Sequence, residues 1–416
     1  MISPALSRSL SRVESGNLCA GCGGCAVIAP DKISMHEDSD GFLRPRISRP
    51  LEATEDTLVH AVCPGLGQTV SAGGRKDDIL WGPYISVQSG WSTDPEIRFA
   101  GSSGGVLSAL ANYLIRSGRV DAVLETCAAS APVTANAEAV VTDRLGVLAA
   151  AGSRYAPSAP LAHLRDHVAT GRRFAIVGKP CDAAAMRALA DNDPEIARSV
   201  PVILSFFCAG VPSGHGGAAL LRALDTRPAD AKAFRYRGNG WPGRATVIRR
   251  DGTERSMTYQ DSWGSILSRE VQHRCRICAD GTGCAADLVC GDAWECDEAG
   301  YPVFEEADGI SLIVARTELG ATLLNEAVRD GAIAISPFRV SRLASIQPGQ
   351  RERRRALLAR LLGQRLCLRP IPCYRGLHLF AAARQNAFSR NLRNFLGMTR
   401  RQLSGRASAA TQANND

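Results

Sequence analysis

Three cysteines at C-x2-C-x2-C spacing, Cys19, Cys22 and Cys25, limit what this chain can fold into more than any other feature. They share a loop with Gly21, Gly23 and Gly24. Thiolates at this spacing can face three irons of one [4Fe–4S] cube, and the glycines let backbone amides approach its sulfides. Zinc usually takes two separated C-x2-C pairs, so the spacing favours an iron–sulfur cluster. Two-cluster ferredoxins continue such a run with x3-C-P. Here Ala29-Pro30 stands in that place, so the proline is kept and the thiol is missing. The fourth ligand must then be remote, and Cys63-Pro64 is the candidate.

Cysteine number extends the argument. The chain has 416 residues and 14 cysteines. Its N-terminus is Ser- and Arg-rich without an apolar core, so it does not read as a secretory signal. No apolar run approaches the ~18 residues of a membrane span. A cytoplasmic protein is expected, in which thiols serve as metal ligands, catalytic groups or buried packing residues rather than disulfides.

Residues 1–75, rich in Cys, Gly and Pro, read as a small ferredoxin-like domain. From 76 to 338 strand-like runs alternate with helical periodicity: 84–91, 120–126, 174–177 and 202–207 as strands, 105–116, 182–190 and 217–224 as helices. Such units predict an α/β domain with a mainly parallel sheet. Arg250-Asp251-Gly252-Thr253 predicts a turn between two strands, and 311–336 a last strand-helix-strand unit. Residues 339–416 read as a basic helical tail. Between 339 and 406 lie 16 arginines and one acid, Glu352, while the rest of the chain is mildly acidic. Two amphipathic helices are expected there, one with Leu357, Leu358, Leu361 and Leu362 on one face, the other with Phe380, Phe388, Leu392 and Phe395. Packing with a solvated Arg face is favoured over a dedicated docking site, and no nucleic-acid partner is expected.

A second cysteine group has two readings. Cys275 and Cys278 could close a local site with Cys284 and Cys290, with Cys296 six residues further on. Alternatively, Cys181 and Cys208 each follow a strand. If those strands are parallel neighbours, both thiols emerge at one sheet edge, where Cys275 and Cys278 could join them. Spacing alone leaves these even, with buried packing thiols as the bland alternative.

Several further motifs accompany the cysteines: Gly101-Ser102-Ser103-Gly104-Gly105, Gly152-Ser153-Arg154-Tyr155-Ala156-Pro157, Gly178-Lys179-Pro180-Cys181-Asp182, Phe206 to Ser213, Arg237 to Gly243, and Gly291-Asp292-Ala293-Trp294. With them the chain, from Cys19 to about Phe338, resembles the coenzyme F-420 hydrogenase/dehydrogenase β-subunit family, flavin-containing iron–sulfur oxidoreductases. That family also holds chlorophyll-pathway reductases that use reduced ferredoxin, namely 7-hydroxymethyl chlorophyll a reductase and a ferredoxin-dependent 8-vinyl reductase. This chain looks more like its bacterial members.

The resemblance implies cluster ligands Cys181, Cys208, Cys275 and Cys278, hence two [4Fe–4S] clusters, together with FAD. It implies ferredoxin or coenzyme F-420 as electron partner and leaves open whether another subunit joins it. On its own, the Gly101–Gly105 segment is an ordinary serine cap with a glycine turn or a phosphate site at a helix start. The resemblance assigns Ser102, Ser103, Gly104 and Gly105 to flavin phosphates, with Arg154 and Lys179 as partners of phosphate or isoalloxazine. No G-x-G-x-x-G opens a helix after a strand, and no hydrolytic triad stands out. The competing readings are a zinc-stabilised binding protein and a non-catalytic electron-transfer subunit.

Overall fold

Four short apolar runs form the strands at the centre of the molecule. In the computed structural model, which describes residues 2–293 and 305–413, eight strands make one sheet. They are β1 (Ser86–Ser92), β2 (Ala122–Ala128), β3 (Asn136–Val141), β4 (Phe174–Gly178), β5 (Val202–Phe206), β6 (Leu288–Asp292), β7 (Ser311–Ala315) and β8 (Ile333–Pro337). Their spatial order is β8-β1-β7-β6-β5-β4-β2-β3. The central runs FAIVG, VILSF, LVCGD and SLIVA are buried on both faces, as strands covered by helices on two sides must be.

The sheet is mixed, not mainly parallel. Only the β6–β5, β5–β4 and β4–β2 pairs are parallel; the other four are antiparallel. Connections explain this. Residues 129–135 are too few for a crossover helix, so β3 folds back on β2. No helix among the described residues separates β6 from β7, and these too run antiparallel. The strand-helix-strand unit near the end exists, but β1 inserts between β7 and β8.

The helices α1 (Val106–Arg116), α2 (Pro180–Asn192), α3 (Gly214–Ala223) and α4 (Glu318–Arg329) lie near their expected places. Val106, Leu110 and Leu114 of α1 pack with Leu323, Leu324 and Ala327 of α4 on one sheet face. Ala183, Met186 and Leu189 of α2 pack on the other, with Val27 and Val62 from the N-terminal segment. A three-stranded antiparallel sheet (Ala231–Arg235, Arg244–Arg249, Glu254–Thr258) contains the expected turn at 250–253.

The tail helix α5 (Pro348–Leu366) buries Leu357 and Leu361 against Val13, Leu18, Leu66 and Ile277, while Leu362 of the expected face is exposed. The tail strand Cys373–Arg375 pairs in parallel with Gly67–Thr69, so the first and last segments share a core. The second tail helix departs from expectation. Helical structure breaks between Leu379–Arg384 and α6 (Phe388–Ala413), and Phe380, Phe388 and Leu392 are exposed. Close backbone approach sets the rotation: a Cβ at Gly363 of α5 would lie 2.6 Å from the Phe395 carbonyl. That contact turns Phe395, Met398 and Gln402 inward and leaves the Phe388–Leu392 stripe outside. No helix among the described residues is long and apolar enough to cross a membrane.

Candidate functional site

The first cysteine group is built by one loop and one helix end. Cys19 and Cys22 lie in the loop, Cys25 in the short helix Gly24–Ile28, and Cys63 at the end of helix Ala53–Val62. The loop fits because Gly21 and Gly23 hold left-handed φ of 78° and 84°. Gly21 and Gly24 amides donate to the Cys19 and Cys22 sulfurs at 3.4 and 3.5 Å. Burial raises the Cys25 thiol well above its ordinary range, and Cys22, Cys19 and Cys63 raise it further. Burial, then Cys19, push Cys63 up to about 11. All four thiols therefore sit within electrostatic reach of one another.

The second group comes from three separate segments. Cys181 lies in the first turn of α2, just past β4, and Cys208 lies just past β5. Those strands are parallel neighbours, so both thiols leave the same sheet edge. Cys275 and Cys278 fold against that edge, and the four line one small cavity. Burial, then Cys275, push Cys208 up to about 12. Cys284 sits apart beside Trp81, and Cys290 is buried within β6, pushed up to about 12 by burial alone. The structure thus gathers Cys181, Cys208, Cys275 and Cys278 rather than the local set. Cys296 and Trp294 lie outside the described residues.

Both groups fit a cluster's chemistry. Eight thiols fall into two fours, and burial raises Cys22, Cys25 and Cys63 of the first and Cys181 and Cys208 of the second above the ordinary thiol range, so a cationic core would favour their thiolate forms. Among the described residues no group of three or more His, Cys, Asp or Glu side chains is arranged to hold a metal ion.

A cavity of about 300 Å³ adjoins the second group, and Cys208, Gly210 and Val211 line both spaces. Its wall includes Ser102, Ser103, Gly105, Arg154 and Lys179. Gly104 packs beneath: a Cβ there would lie 2.5 Å from the Gly90 carbonyl. Helix α1 is capped by Gly105, at φ 70°, with no side-chain cap bond. The serines are used elsewhere: Ser102 Oγ accepts from the Ser153 amide, and Ser103 Oγ donates to Ile310 O at 2.7 Å. The amides of Val106, Leu107 and Ser108, in the first turn of α1 at the cavity wall, have no partner among the described residues, an arrangement that suits an anion.

The two expected cations are largely committed. Lys179 Nζ donates to Asp182 Oδ2 at 2.8 Å and to Ser158 Oγ at 2.7 Å. Burial works against its charge, yet Asp182 and Cys181 hold its pKa above the usual lysine range. Arg154 donates to Asn136 Oδ1 and to the carbonyls of Phe234, Val133 and Ala135. Both shape the wall more than they offer free charge.

Other residues of the site escape a reading by motif. Glu125 lines the cavity, is 8% exposed, has no hydrogen-bond partner among the described residues, and is pushed to about 7 by burial. A lone acid inside the apolar run Val123-Leu124-Glu125 was its signal. Arg353 and Gln350 of α5 donate to the Cys208 carbonyl, so the tail closes over the second thiol group. Gln272 Nε2 lies 3.4 Å from Ala20 O and 3.5 Å from Cys275 Sγ, linking the two groups. Beyond the ion pair of Arg237 with Asp292 (2.8 Å), a cavity of about 1090 Å³ opens, lined by Phe99, Arg235, Trp241 and Tyr259.

Comparison with known proteins bears on this arrangement. Two models of the family described as coenzyme F420 hydrogenase/dehydrogenase, beta subunit, match the chain: the N-terminal one over residues 87–165 and the C-terminal one over residues 171–340. The F subunit of the F(420)H(2) dehydrogenase of Methanosarcina mazei is 23% identical over 320 residues, 75% of this chain and 82% of that protein. The beta subunit of the coenzyme F420 hydrogenase of Methanosarcina barkeri is 24% identical over 290 residues, 66% of this chain and 87% of that one. A chain of the F420-reducing [NiFe] hydrogenase complex from Methanosarcina barkeri shares the fold, with a TM-score of 0.53 and 22% identity over 67% of this chain and 91% of that one.

Proposed function

Because the chain belongs to the coenzyme F420 hydrogenase/dehydrogenase beta-subunit family, we propose that it is an iron–sulfur and flavin oxidoreductase. In this reading it moves electrons between a one-electron donor such as ferredoxin, or reduced coenzyme F420, and a substrate at the flavin. One observation carries the reading: two groups of four thiols and a cavity lie in sequence, the groups joined through Gln272 and the cavity sharing Cys208 with the second. Cys19, Cys22, Cys25 and Cys63 would hold one [4Fe–4S] cluster, and Cys181, Cys208, Cys275 and Cys278 the other. The open amides at the start of α1 would bind the phosphates of FAD. Bound clusters supply single-electron transfer, and flavin adds exchange of electron pairs.

The chain's own residues do the positioning. Val211 N donates to Cys275 Sγ at 3.4 Å, orienting that thiolate toward its partners. The Lys179–Asp182 pair fixes the turn that carries Cys181. Gln350 and Arg353 of the tail hold the Cys208 carbonyl and so cover one side of the second group. The larger cavity, with Phe99, Trp241 and Arg235 on its wall, is the proposed approach for the substrate. Relatives named as subunits make a partner subunit part of the proposal.

Anaerobic purification tests the reading. A brown protein is expected, with iron and acid-labile sulfide for two clusters and one flavin per chain. A colourless protein that holds zinc overturns it. Reduction by coenzyme F420H2, compared with reduced ferredoxin, then identifies the electron partner.

A further inference from the structure

Arg274 carries a positive charge that no carboxylate balances among the described residues. Its side chain is 3% exposed, and among the described residues it pairs with no Asp or Glu. Nη2 donates to the carbonyl of Pro64, next to Cys63, at 2.7 Å. Nη1 donates to the carbonyl of Ile277, between Cys275 and Cys278, at 3.5 Å. One guanidinium is thus tied to the backbone of both thiol groups. Tyr374 closes the remaining side: its ring centre lies 5.7 Å from the guanidinium carbon, and its hydroxyl donates to the same Ile277 carbonyl at 2.8 Å. Nε has no partner among the described residues.

Removing a charge from water without a counter-charge is strongly unfavourable, and carbonyl dipoles offset it only in part. Among the described residues, the acidic groups that act on Arg274 include Tyr374 and the thiols of Cys63, Cys181, Cys275 and Cys278. Thiolates ligating iron are what would supply the missing negative charge. A four-thiolate cluster is a net anion, and each electron added makes it more so. Two such anions this close repel each other, and repulsion is strongest when both are reduced.

Building on the two-cluster reading, we propose that Arg274 is a shared positioning charge. It stabilises the reduced state of both clusters and screens one from the other, so that both can hold an electron at once. A chain that supplies electron pairs at its cavity gains from storing two single electrons beside it.

The test uses the full chain, purified without oxygen, as wild type, Arg274→Gln and Arg274→Lys. Iron and sulfide are measured first, then both midpoint potentials by electron paramagnetic resonance during redox titration. Clusters missing from the wild type would sink the functional reading itself. With clusters present, Arg274→Gln should lower both potentials, each by at least a tenfold change in the one-electron equilibrium constant, which is 59 mV. Arg274→Lys should stay within that tenfold. Unchanged potentials in an iron-replete Arg274→Gln protein, or a shift at one cluster only, overturn the proposal. If Arg274→Gln fails to assemble iron, Arg274→Lys decides. Full iron in Lys supports a requirement for charge, whereas failure of both variants assigns Arg274 to backbone geometry and overturns it.

Discussion

The two thiol groups hold the same number of sulfurs and are built in opposite ways. Three members of the first come from seven consecutive residues, and its electrostatic help comes from backbone amides such as Gly21 and Gly24. The second is gathered from the ends of two strands and a later loop, with the charged side chains Lys179 and Arg353 beside it, while Arg274 reaches the backbone of both groups. A local loop can tolerate change elsewhere in the fold. A site assembled from distant segments depends on the sheet register and on whatever covers it. Here the cover is the Arg-rich tail, whose α5 reaches the Cys208 carbonyl.

Cysteine replacement tests that contrast most strongly. Cys22→Ser and Cys181→Ser should each remove about half the iron, one cluster of two, and leave the other group intact. Cys290→Ser and Cys284→Ser should leave iron unchanged. Iron analysis of the four variants decides this, and loss at Cys290 would return the local site to favour. A smaller effect is expected at the cover. Arg354 is 3% exposed and donates to the carbonyls of Leu80, Ala279, Ile79 and Leu377. Arg354→Met leaves these four acceptors unpaired, a cost of about 3 kcal/mol or more. Calorimetric melting should show the loss, and the second group should release iron before the first.

The same contrast explains what the sequence made legible. Cys19, Cys22 and Cys25 announce themselves because their geometry is local. Helix α1 and the strands β4 and β5 are equally plain, since apolar periodicity over five to eleven residues reflects burial directly. Cys181 and Cys208 could be joined only by assuming that β4 and β5 are parallel neighbours, and spacing alone could not choose them over Cys284 and Cys290. Strand order is a long-range property. Nothing in the run Ser86–Ser92 says that it inserts between β7 and β8, and so the mixed sheet was hidden. The outward turn of Phe388 and Leu392 was hidden too, because it follows from the contact at Gly363 on another helix. Arg274 and Gln272 show no pattern at all, since their meaning lies in which carbonyls and sulfurs the fold brings to them.

Glu125 extends the comparison to the cavity, which adjoins the second group. Burial lifts its carboxyl from the usual range to about 7, so the folded chain prefers it protonated. The sign follows: stability is unaffected well below the ordinary carboxylate pKa, falls as pH rises toward 7, and stays reduced above it. Relative to Glu125→Gln, wild type should lose about 2 kcal/mol between about pH 5.5 and pH 8. Urea unfolding at both pH values measures this. Equal pH dependence in the two proteins would mean that the carboxyl is hydrated or paired.

The smallest effect should appear at Gln272, and it separates the two groups most finely. Its Nε2 lies 3.5 Å from Cys275 Sγ but reaches the first group only through the Ala20 carbonyl, while Arg44 donates to its Oε1 at 3.1 Å. An N–H aimed at a ligating sulfur withdraws charge and raises a cluster's potential. Gln272→Met keeps the length of the side chain and removes that donor. The second cluster's potential should fall by less than a tenfold change in equilibrium constant, under about 59 mV, with the first unmoved. Arg274→Gln should move both. Identical behaviour of the two variants in a redox titration would mean that the groups respond as one electrostatic unit, and the distinction between a locally built and a distantly assembled site would then hold for folding but not for electron transfer.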